Sequence, residues 1–446
     1  MAPANQGDGR EALERVYRAA IAAVEPASLV RAAFLAGNAR ELRSREERTT
    51  PVMVRTWLVA AGKAAGAMAG EASRILGMRL AGGVVALPDR ARGLPPILRQ
   101  FVAGHPLPNR QSVEAGRQAM AVAEAASRED LLLVLLSGGA SSLLVLPAAG
   151  ISLDDKVATS DLLLRSGATI GEINTVRKHL SRIKGGGLLR RAGVDRVIGW
   201  ILSDVIGGSP AVVGSGPTAS DPTTFADALR VLARHRLLDR VPHAVRRHLE
   251  LGAQGLRPET LKPRERTARN FVIGDNRLAL QAAAAQAEDL GLRSKVLTRS
   301  LRGSTERAAR RFASEVRRRA SADGLCLLAG GETTLRVRGE GKGGRNQHFA
   351  LALAEEIAGL RSVRCLIAGS DGRDGPTDAA GAFVDGTTVE RARRLGLAPR
   401  AFRQRCDSYK FFAALGDLFR PGPTGTNVMD LEVVIIGRVA ARDAAC

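Results

Sequence analysis

Short apolar runs of strand length alternate along this chain with Ala-, Leu- and Arg-rich segments of helical length. No other feature constrains the fold as strongly, because strands separated by helical crossovers pair in parallel and give an α/β architecture. The runs predict strands at Thr56–Ala61, Gly83–Leu87, Leu131–Leu136, Val197–Leu202, Asn270–Ile273, Lys295–Leu297, Leu325–Ala329, Arg364–Ala368 and Leu431–Ile436. Wholly apolar runs such as LLLVLL at 131–136 suit a sheet covered on both faces. Around 252–268 the text GAQGLRPETLKPRERTA is polar and charged, holds two prolines and has no apolar period, which marks a connector. The chain is therefore expected to divide into an N-terminal α/β domain at 1–251 and a C-terminal α/β domain at 269–446, both with mainly parallel sheets.

The length of 446 residues suits two to four domains, and a composition of 45% hydrophobic and 25% charged residues excludes global disorder and fibrous folds. Lys+Arg outnumber Asp+Glu by 66 to 45, a formal net charge of +21 that invites a polyanionic partner. Only eight of these cations are Lys, however, and the Arg residues are spread over nearly every segment. Aromatic residues, at 3%, are too scarce for the stacking platforms of single-strand or RNA binding, so no specific nucleic acid is expected. The four Cys (326, 365, 406 and 446) are too far apart to suggest a disulfide framework or a C-x-x-C metal site. The opening MAPANQGDGR carries an acid and no apolar core, unlike a signal peptide. The charge-free stretch Leu131–Leu153 is broken by Gly, Ser and Pro, which argues against a membrane span. A reduced, cytoplasmic protein with no membrane partner is expected.

Five predicted strands run straight into small or polar residues: WLVAAGKAA (57–65), LLSGGASS (135–142), GWILSDVIGGS (199–209), LLAGGETT (327–334) and LIAGSDGRDGPTD (366–378). Ligands of open α/β sheets bind at the carboxyl ends of the strands, where these loops would lie. Ser137, Gly138, Gly139, Ser141 and Ser142 can bring backbone N–H groups close to an anion, although a tight strand-to-helix turn has the same composition. Lys63 opens a small-residue helix, where a cation is disfavoured unless an anionic ligand is present. Arg345, in GEGKGGRNQHF (339–349), can fork two oxygens of a phosphoryl group or carboxylate; a glycine hairpin with exposed cations is the alternative. No Walker A sequence occurs. Asp204, Glu332, Asp371, Asp374 and Asp378 supply strand-end carboxylates of the kind a Mg²⁺ site uses, or simple Asx turns. His105 reads as an acid/base group or a hydrogen-bonded turn residue. VRKHLSRIKGGG (176–187) reads as a carboxylate-binding segment or a solvated helix face.

As a set, AAGKAAGAMA (60–69), AGHPLPNRQSVEAG (103–116), SGGASSLL (137–144), INTVRKHLSRIKGG (173–186), SDVIGGSPAVVGSGPTASDP (203–222), GGETTLRVRGEGKGGRNQHFALALA (330–354), DGRDGPTDAAGA (371–382) and PTGTNVMDL (423–431) closely resemble the glycerate 2-kinase family, whose C-terminal part is called MOFRL. The resemblance covers nearly the whole chain. It implies a Rossmann-like N-terminal domain and a MOFRL-type C-terminal domain around a cleft, and ATP-dependent phosphorylation of D-glycerate at its 2-hydroxyl. Lys63 and Arg345 are then the cations of the phosphoryl-transfer site, with Asp204 as a third catalytic candidate. Ser137, Gly138, Gly139, Ser141, Ser142, Asn174, Arg177, Lys178, Lys184, Glu332 and Asn346 are candidates for binding phosphate or substrate, and Asp371 and Asp374 for Mg²⁺. D-glycerate and ATP are the expected partners; a homodimer stays open. The chain departs from the family pattern at Asn109, where many relatives have Asp, and at Ala140, Gly208-Ser209, Ser370 and His348, which bears on metal binding and substrate fit.

Other readings make different demands. An NAD(P)-dependent hydroxypyruvate reductase, a name such proteins also carry, needs G-x-G-x-x-G, whereas Gly62, Gly66 and Gly70 are spaced G-x-x-x-G-x-x-x-G. A kinase for a related small hydroxy acid needs only an altered acid pocket. A nucleic-acid-binding protein is motivated by the charge alone, with no zinc-finger or RNP1-like pattern.

Overall fold

The structure, a computed structural model, describes residues 6–36 and 54–438; Cys446 and the first five residues of MAPANQGDGR lie outside the described residues. The chain divides into two units, Pro26–Ile273 and a second made of the residues up to Glu25 with those from Gly274 onward.

The first unit is built on six strands: β1 (Thr56–Ala61), β2 (Leu80–Leu87), β3 (Leu98–Val102), β4 (Leu131–Leu136), β5 (Arg196–Leu202) and β6 (Arg269–Gly274). Their order is β3-β2-β1-β4-β5-β6, with β3–β2, β2–β1, β1–β4 and β4–β5 all parallel. This is the doubly wound order, and its direction reverses between β1 and β4. Every residue of LLLVLL in β4 is buried, as a central strand covered on both faces requires. Helices Ala65–Leu76 and Arg110–Ala125 supply crossovers. A satellite core joins helices Leu153–Arg165, Ile170–His179, Phe225–Arg234 and His243–Ala253 through Leu163, Val176, Phe225 and Leu249.

The polar stretch 252–268 does not separate the units as expected. It leads from helix His243–Ala253 to β6, which is the edge of the first sheet and not the start of the C-terminal domain. Leu261 pins it: its side chain enters the first core, its N–H donates to Gly185 O at 2.9 Å, and its carbonyl accepts from Asp221 N at 2.7 Å. The division falls just after β6.

The second unit holds β7 (Arg293–Leu301), β8 (Leu325–Gly331), β9 (Val363–Gly369), β10 (Gly381–Asp385), β11 (Leu418–Phe419) and β12 (Asp430–Ile436), in the order β11-β10-β9-β12-β8-β7. Strands β7, β8, β9 and β11 run one way and β10 and β12 the other, so the expected majority direction is present. Most neighbouring pairs are nevertheless antiparallel, because β12 inserts between β8 and β9 and β10 returns beside β9 without a helical crossover. Helix Gln6–Ala23, expected in the N-terminal domain, packs on helix Asn276–Asp289 and on β9 and β12. Its buried Leu13, Val16, Tyr17 and Ala20 recur with helical period and form the face that docks.

No helix of the described residues is long and apolar enough to cross a membrane. Cys326, Cys365 and Cys406 are buried and unpaired. Tyr17 Oη donates to the Gly369 carbonyl at 2.8 Å in a buried setting. Tyr17→Phe leaves that carbonyl unpaired and is expected to lower stability by about 1–3 kcal/mol, measured by urea unfolding.

Candidate active site

Between β1 and β4 the two strand-end loops of the first unit bind each other through the backbone. Ser137 N donates to Ala61 O at 3.0 Å and Lys63 N to Gly138 O at 2.8 Å. The Ser137 hydroxyl accepts from Ala64 N at 3.0 Å, capping helix Ala65–Leu76 from the neighbouring strand, since that helix has no cap of its own. Gly139 takes a left-handed conformation (φ 84°), and a Cβ there would lie 2.8 Å from the His105 ring and 3.6 Å from Lys63 Cγ. The Lys63 side chain is exposed beside this loop. Lys63 lowers the pKa of two neighbours: His105 is held below the usual histidine range by burial and then by Lys63, and Asp204 is raised by burial with Lys63 opposing. Lys63, His105, Gly139 and Asp204 thus share one end of the sheet, at the topological switch point where doubly wound folds bind ligands.

The serines further along the loop face a different set. Lys184 Nζ donates to Ser141 O and Oγ, each at 2.9 Å, and to Gly214 O at 3.3 Å. Ser141 Oγ lies 3.2 Å from Ser215 Oγ, which donates to Asn174 Oδ1 at 3.0 Å. Ser141, Asn174 and Lys184 are brought together; Lys178 is not, because it turns away into a buried ion pair with Asp221 at 3.3 Å. Ser215 was missed; its only signal is its position between two glycines in VGSGP.

In the second unit β12 runs against β8 and β9, so its first residue, Asp430, lies beside their last residues, Gly331 and Gly369. Arg345 Nε and one terminal nitrogen donate to the two Asp430 oxygens at 2.7 and 2.9 Å, and the other terminal nitrogen meets Glu332 at 2.7 Å. Burial disfavours the guanidinium charge, but Asp430 and Glu332 more than offset this and raise its pKa. The Asn346 side chain also donates to Asp430 at 2.9 Å. Asp374 accepts from the backbone N–H groups of Asn346 and Gln347 at 3.0 and 2.8 Å, capping helix Arg345–Glu356 from the loop after β9. Burial pushes its carboxyl up to about 7 against those two donors. Both Asp374 oxygens are therefore engaged in capping the helix, each accepting one backbone N–H. Asp371 is half-buried and stands in the same loop. Among the described residues no group of three or more His, Cys, Asp or Glu is arranged to hold a metal ion. Asp378 pairs with Arg420 at the surface, at 3.0 Å.

Two family models match the chain: "Domain of unknown function (DUF4147)" over residues 12–250 and the MOFRL family over 325–430. The chain is 40% identical to glycerate 2-kinase of Pyrococcus horikoshii over 345 residues, 76% of this chain and 78% of that protein. It is 37% identical to D-glycerate 2-kinase of Thermotoga maritima over 388 residues, 86% and 91% of the two chains. The crystal structure of glycerate kinase from Thermotoga maritima superposes with a TM-score of 0.85 at 35% identity, covering 97% of this chain and 100% of that one. The chain belongs to the glycerate kinase family.

Within that family, several departures of this chain have local structural explanations. Asn109 is the N-cap of helix Arg110–Ala125 and accepts from Ser112 N at 3.0 Å, a role Asn fills as well as Asp. Ser370 keeps a hydroxyl that accepts from Val428 N at 2.8 Å. Ala140 is buried, and His348 Nε2 sits 3.4 Å from Glu306. Nothing in the structure explains Gly208-Ser209.

Two outcomes test this geometry. A Cβ on Gly62 (φ 132°) would lie 2.1 Å from Ser137 Oγ and 2.6 Å from its carbonyl oxygen. Gly62→Ala is accordingly expected to cost about 1–3 kcal/mol in chemical denaturation, with loss of activity as the two loops part. Asp374→Asn turns an N–H toward a backbone N–H and is expected to cost about 1–3 kcal/mol, read in the same way.

Proposed function

We propose that this protein is a cytoplasmic ATP-dependent kinase that phosphorylates the 2-hydroxyl of D-glycerate, giving 2-phosphoglycerate and ADP. The observation that carries the reading is Lys63 beside the glycine-rich Ser137–Gly139 turn at the switch point, an exposed cation next to a glycine backbone in a family whose relatives are named for this reaction.

Phosphoryl transfer passes through a loose transition state rich in negative charge, so the protein's contribution is positioning and charge neutralisation. Lys63 in the first unit and Arg345 in the second are each proposed as a cation for phosphoryl oxygens. Asp430 and Glu332 fix the Arg345 plane while engaging three of the five N–H donors that a guanidinium carries, which leaves one on each terminal nitrogen for an oxygen of the phosphoryl group. Gly138 and Gly139 let a phosphate or the acid's carboxylate approach the backbone. Asp204, its carboxyl raised by burial, suits a group that orients the 2-hydroxyl and receives its proton. Asp371, half-buried in the loop after β9, would supply a carboxylate to a Mg²⁺ ion, which takes one or two carboxylates alongside substrate phosphates. When bound, that ion supplies further neutralisation of phosphate charge.

Lys63→Ala and Arg345→Ala are each expected to lower kcat by about 10²–10³ while the proteins stay folded; near wild-type kcat and KM in either variant removes that residue from the assignment. Arg345→Lys keeps the charge but loses the fork, so it is expected to recover little. ADP release by the purified protein over a panel of small hydroxy acids, with phosphorus NMR to separate 2- from 3-phosphoglycerate, tests the reaction itself. Absence of ADP release with every acid overturns the kinase reading, and NADH oxidation with hydroxypyruvate would replace it.

A further inference from the structure

The polar connector at 252–268 folds into the wall of a cavity. Arg257, Glu259, Thr260 and Leu261 line one side of a space of about 480 Å³ in the first unit, a volume within the roughly 300–1,000 Å³ of small-molecule pockets. Its floor is apolar and buried, made of Met120, Ala148, Phe225 and Leu261. Phe225 stands between two histidine rings that also line the space, edge-on to His179 at 4.8 Å and to His248 at 5.5 Å between centroids. Burial holds the His248 ring below the usual histidine range, and its Nε2 donates to the His179 carbonyl at 3.0 Å. Nδ1 is then an acceptor, with no partner among the described residues. Glu259, the one carboxylate among the described residues of the lining, is taken up by His179 at 3.1 Å, Lys262 at 3.0 Å and the Phe225 N–H at 2.9 Å. Arg182, Arg191 and Arg257 are exposed at the mouth and, among the described residues, have no hydrogen bond or ion pair.

The Arg191 side of this cavity lies at the opposite end of the strands from Lys63. Helix Gly187–Arg191 runs into Gly193 and Asp195, whose N–H groups donate to Ala123 O at 2.9 Å and Arg128 O at 3.0 Å, just ahead of the first residues of β4 and β5. Lys63 follows the last residue of β1, and strands of six residues place about 20 Å between the two ends of the sheet. Lys178 and Lys184 also border the cavity, but their ammonium groups are directed elsewhere, to Asp221 at 3.3 Å and to Ser141 at 2.9 Å.

We infer that this cavity binds a planar aromatic anion, its ring system on the apolar floor and its acidic group held by the arginines at the mouth. In a chain with 3% aromatic residues, a Phe flanked by two His rings on one cavity is a concentrated surface for a further ring, which packs at centroid separations of about 4.5–7 Å. A guanidinium forks the two oxygens of a carboxylate or sulfonate, and three of them at one mouth disfavour a neutral or cationic molecule of the same shape. A hydroxyl or N–H on the ring system would donate to His248 Nδ1. The inference is independent of the kinase reading, because none of the groups it uses is assigned to phosphoryl transfer and binding is read without turnover.

The probe is 8-anilinonaphthalene-1-sulfonate, an aromatic anion whose fluorescence rises in apolar surroundings, titrated into the full-length protein with saturating Mg·ATP present. Saturable binding of one probe per chain is expected under those conditions. Ala149→Trp, at an exposed position on the mouth, fills the cavity and is expected to weaken this binding about tenfold or more. The double reversal Arg182→Glu with Arg257→Glu, also at exposed positions, is expected to weaken it about as much through repulsion. Thermal unfolding of both variants checks that each is folded. Naphthalene-2-carboxylate is expected to displace the probe and naphthalene-2-methanol to do so at least about tenfold less well. Absence of saturable binding in the presence of Mg·ATP overturns the proposal, as does binding within about twofold of wild type in either folded variant. Displacement by the alcohol as effective as by the carboxylate overturns the anionic ligand class.

Discussion

Two strand-end loops lie flat against each other at the centre of the first sheet because one of them begins with a residue that has no side chain. Gly62 leaves room for the Ser137 hydroxyl and carbonyl, and that contact carries the three hydrogen bonds that fix Lys63, Gly138 and the start of helix Ala65–Leu76. Any Cβ at Gly62 would occupy the space Ser137 needs. The position of Lys63, the course of the glycine backbone, and the field felt by His105 and Asp204 all follow from this approach. The doubly wound order then decides that the packed loops stand where the sheet reverses direction.

The second unit solves the same problem with charge. Arg345 is held flat by Asp430 at the start of β12 and by Glu332 just after β8, and the helix that begins with it is capped by Asp374 from the loop after β9. In both units the helix following a candidate site takes its cap from elsewhere in the chain. Site geometry is thereby tied to the sheet as a whole and not to the local turn.

That arrangement explains what the sequence could and could not reveal. The long apolar strands were legible because full burial leaves no choice of residue, as in LLLVLL. Strands β3, β10 and β11 were not, being short or, like LRQFV, broken by Arg99 and Gln100. The glycine-rich loops announced themselves through backbone requirements, whereas Asp374 and Asp371 look alike in DGRDG and only their partners differ. Arg177 and Lys178 are adjacent and diverge, one toward a cavity and one toward Asp221. Lys156, in LDDKVAT, stands beside two acids in the sequence and is nevertheless buried. The bulk excess of Arg is mostly what it looked like. Pairs such as Arg310–Glu306, Arg319–Glu315 and Arg394–Glu390 are one turn apart on exposed helices and contribute about 0.3–0.5 kcal/mol each.

The docking of helix Gln6–Ala23 on strands β9 and β12 sets an order of events during synthesis. This helix, with an apolar stripe of Leu13, Val16 and Tyr17, leaves the ribosome well before its partners, which are not made until the chain passes Gly274. At roughly 5–20 residues per second that delay exceeds about ten seconds, ample time for the intervening Pro26–Ile273 unit to close on its own sheet. The nascent helix must stay exposed or be shielded by a chaperone throughout, and the second unit can complete its core only once β12 has been made.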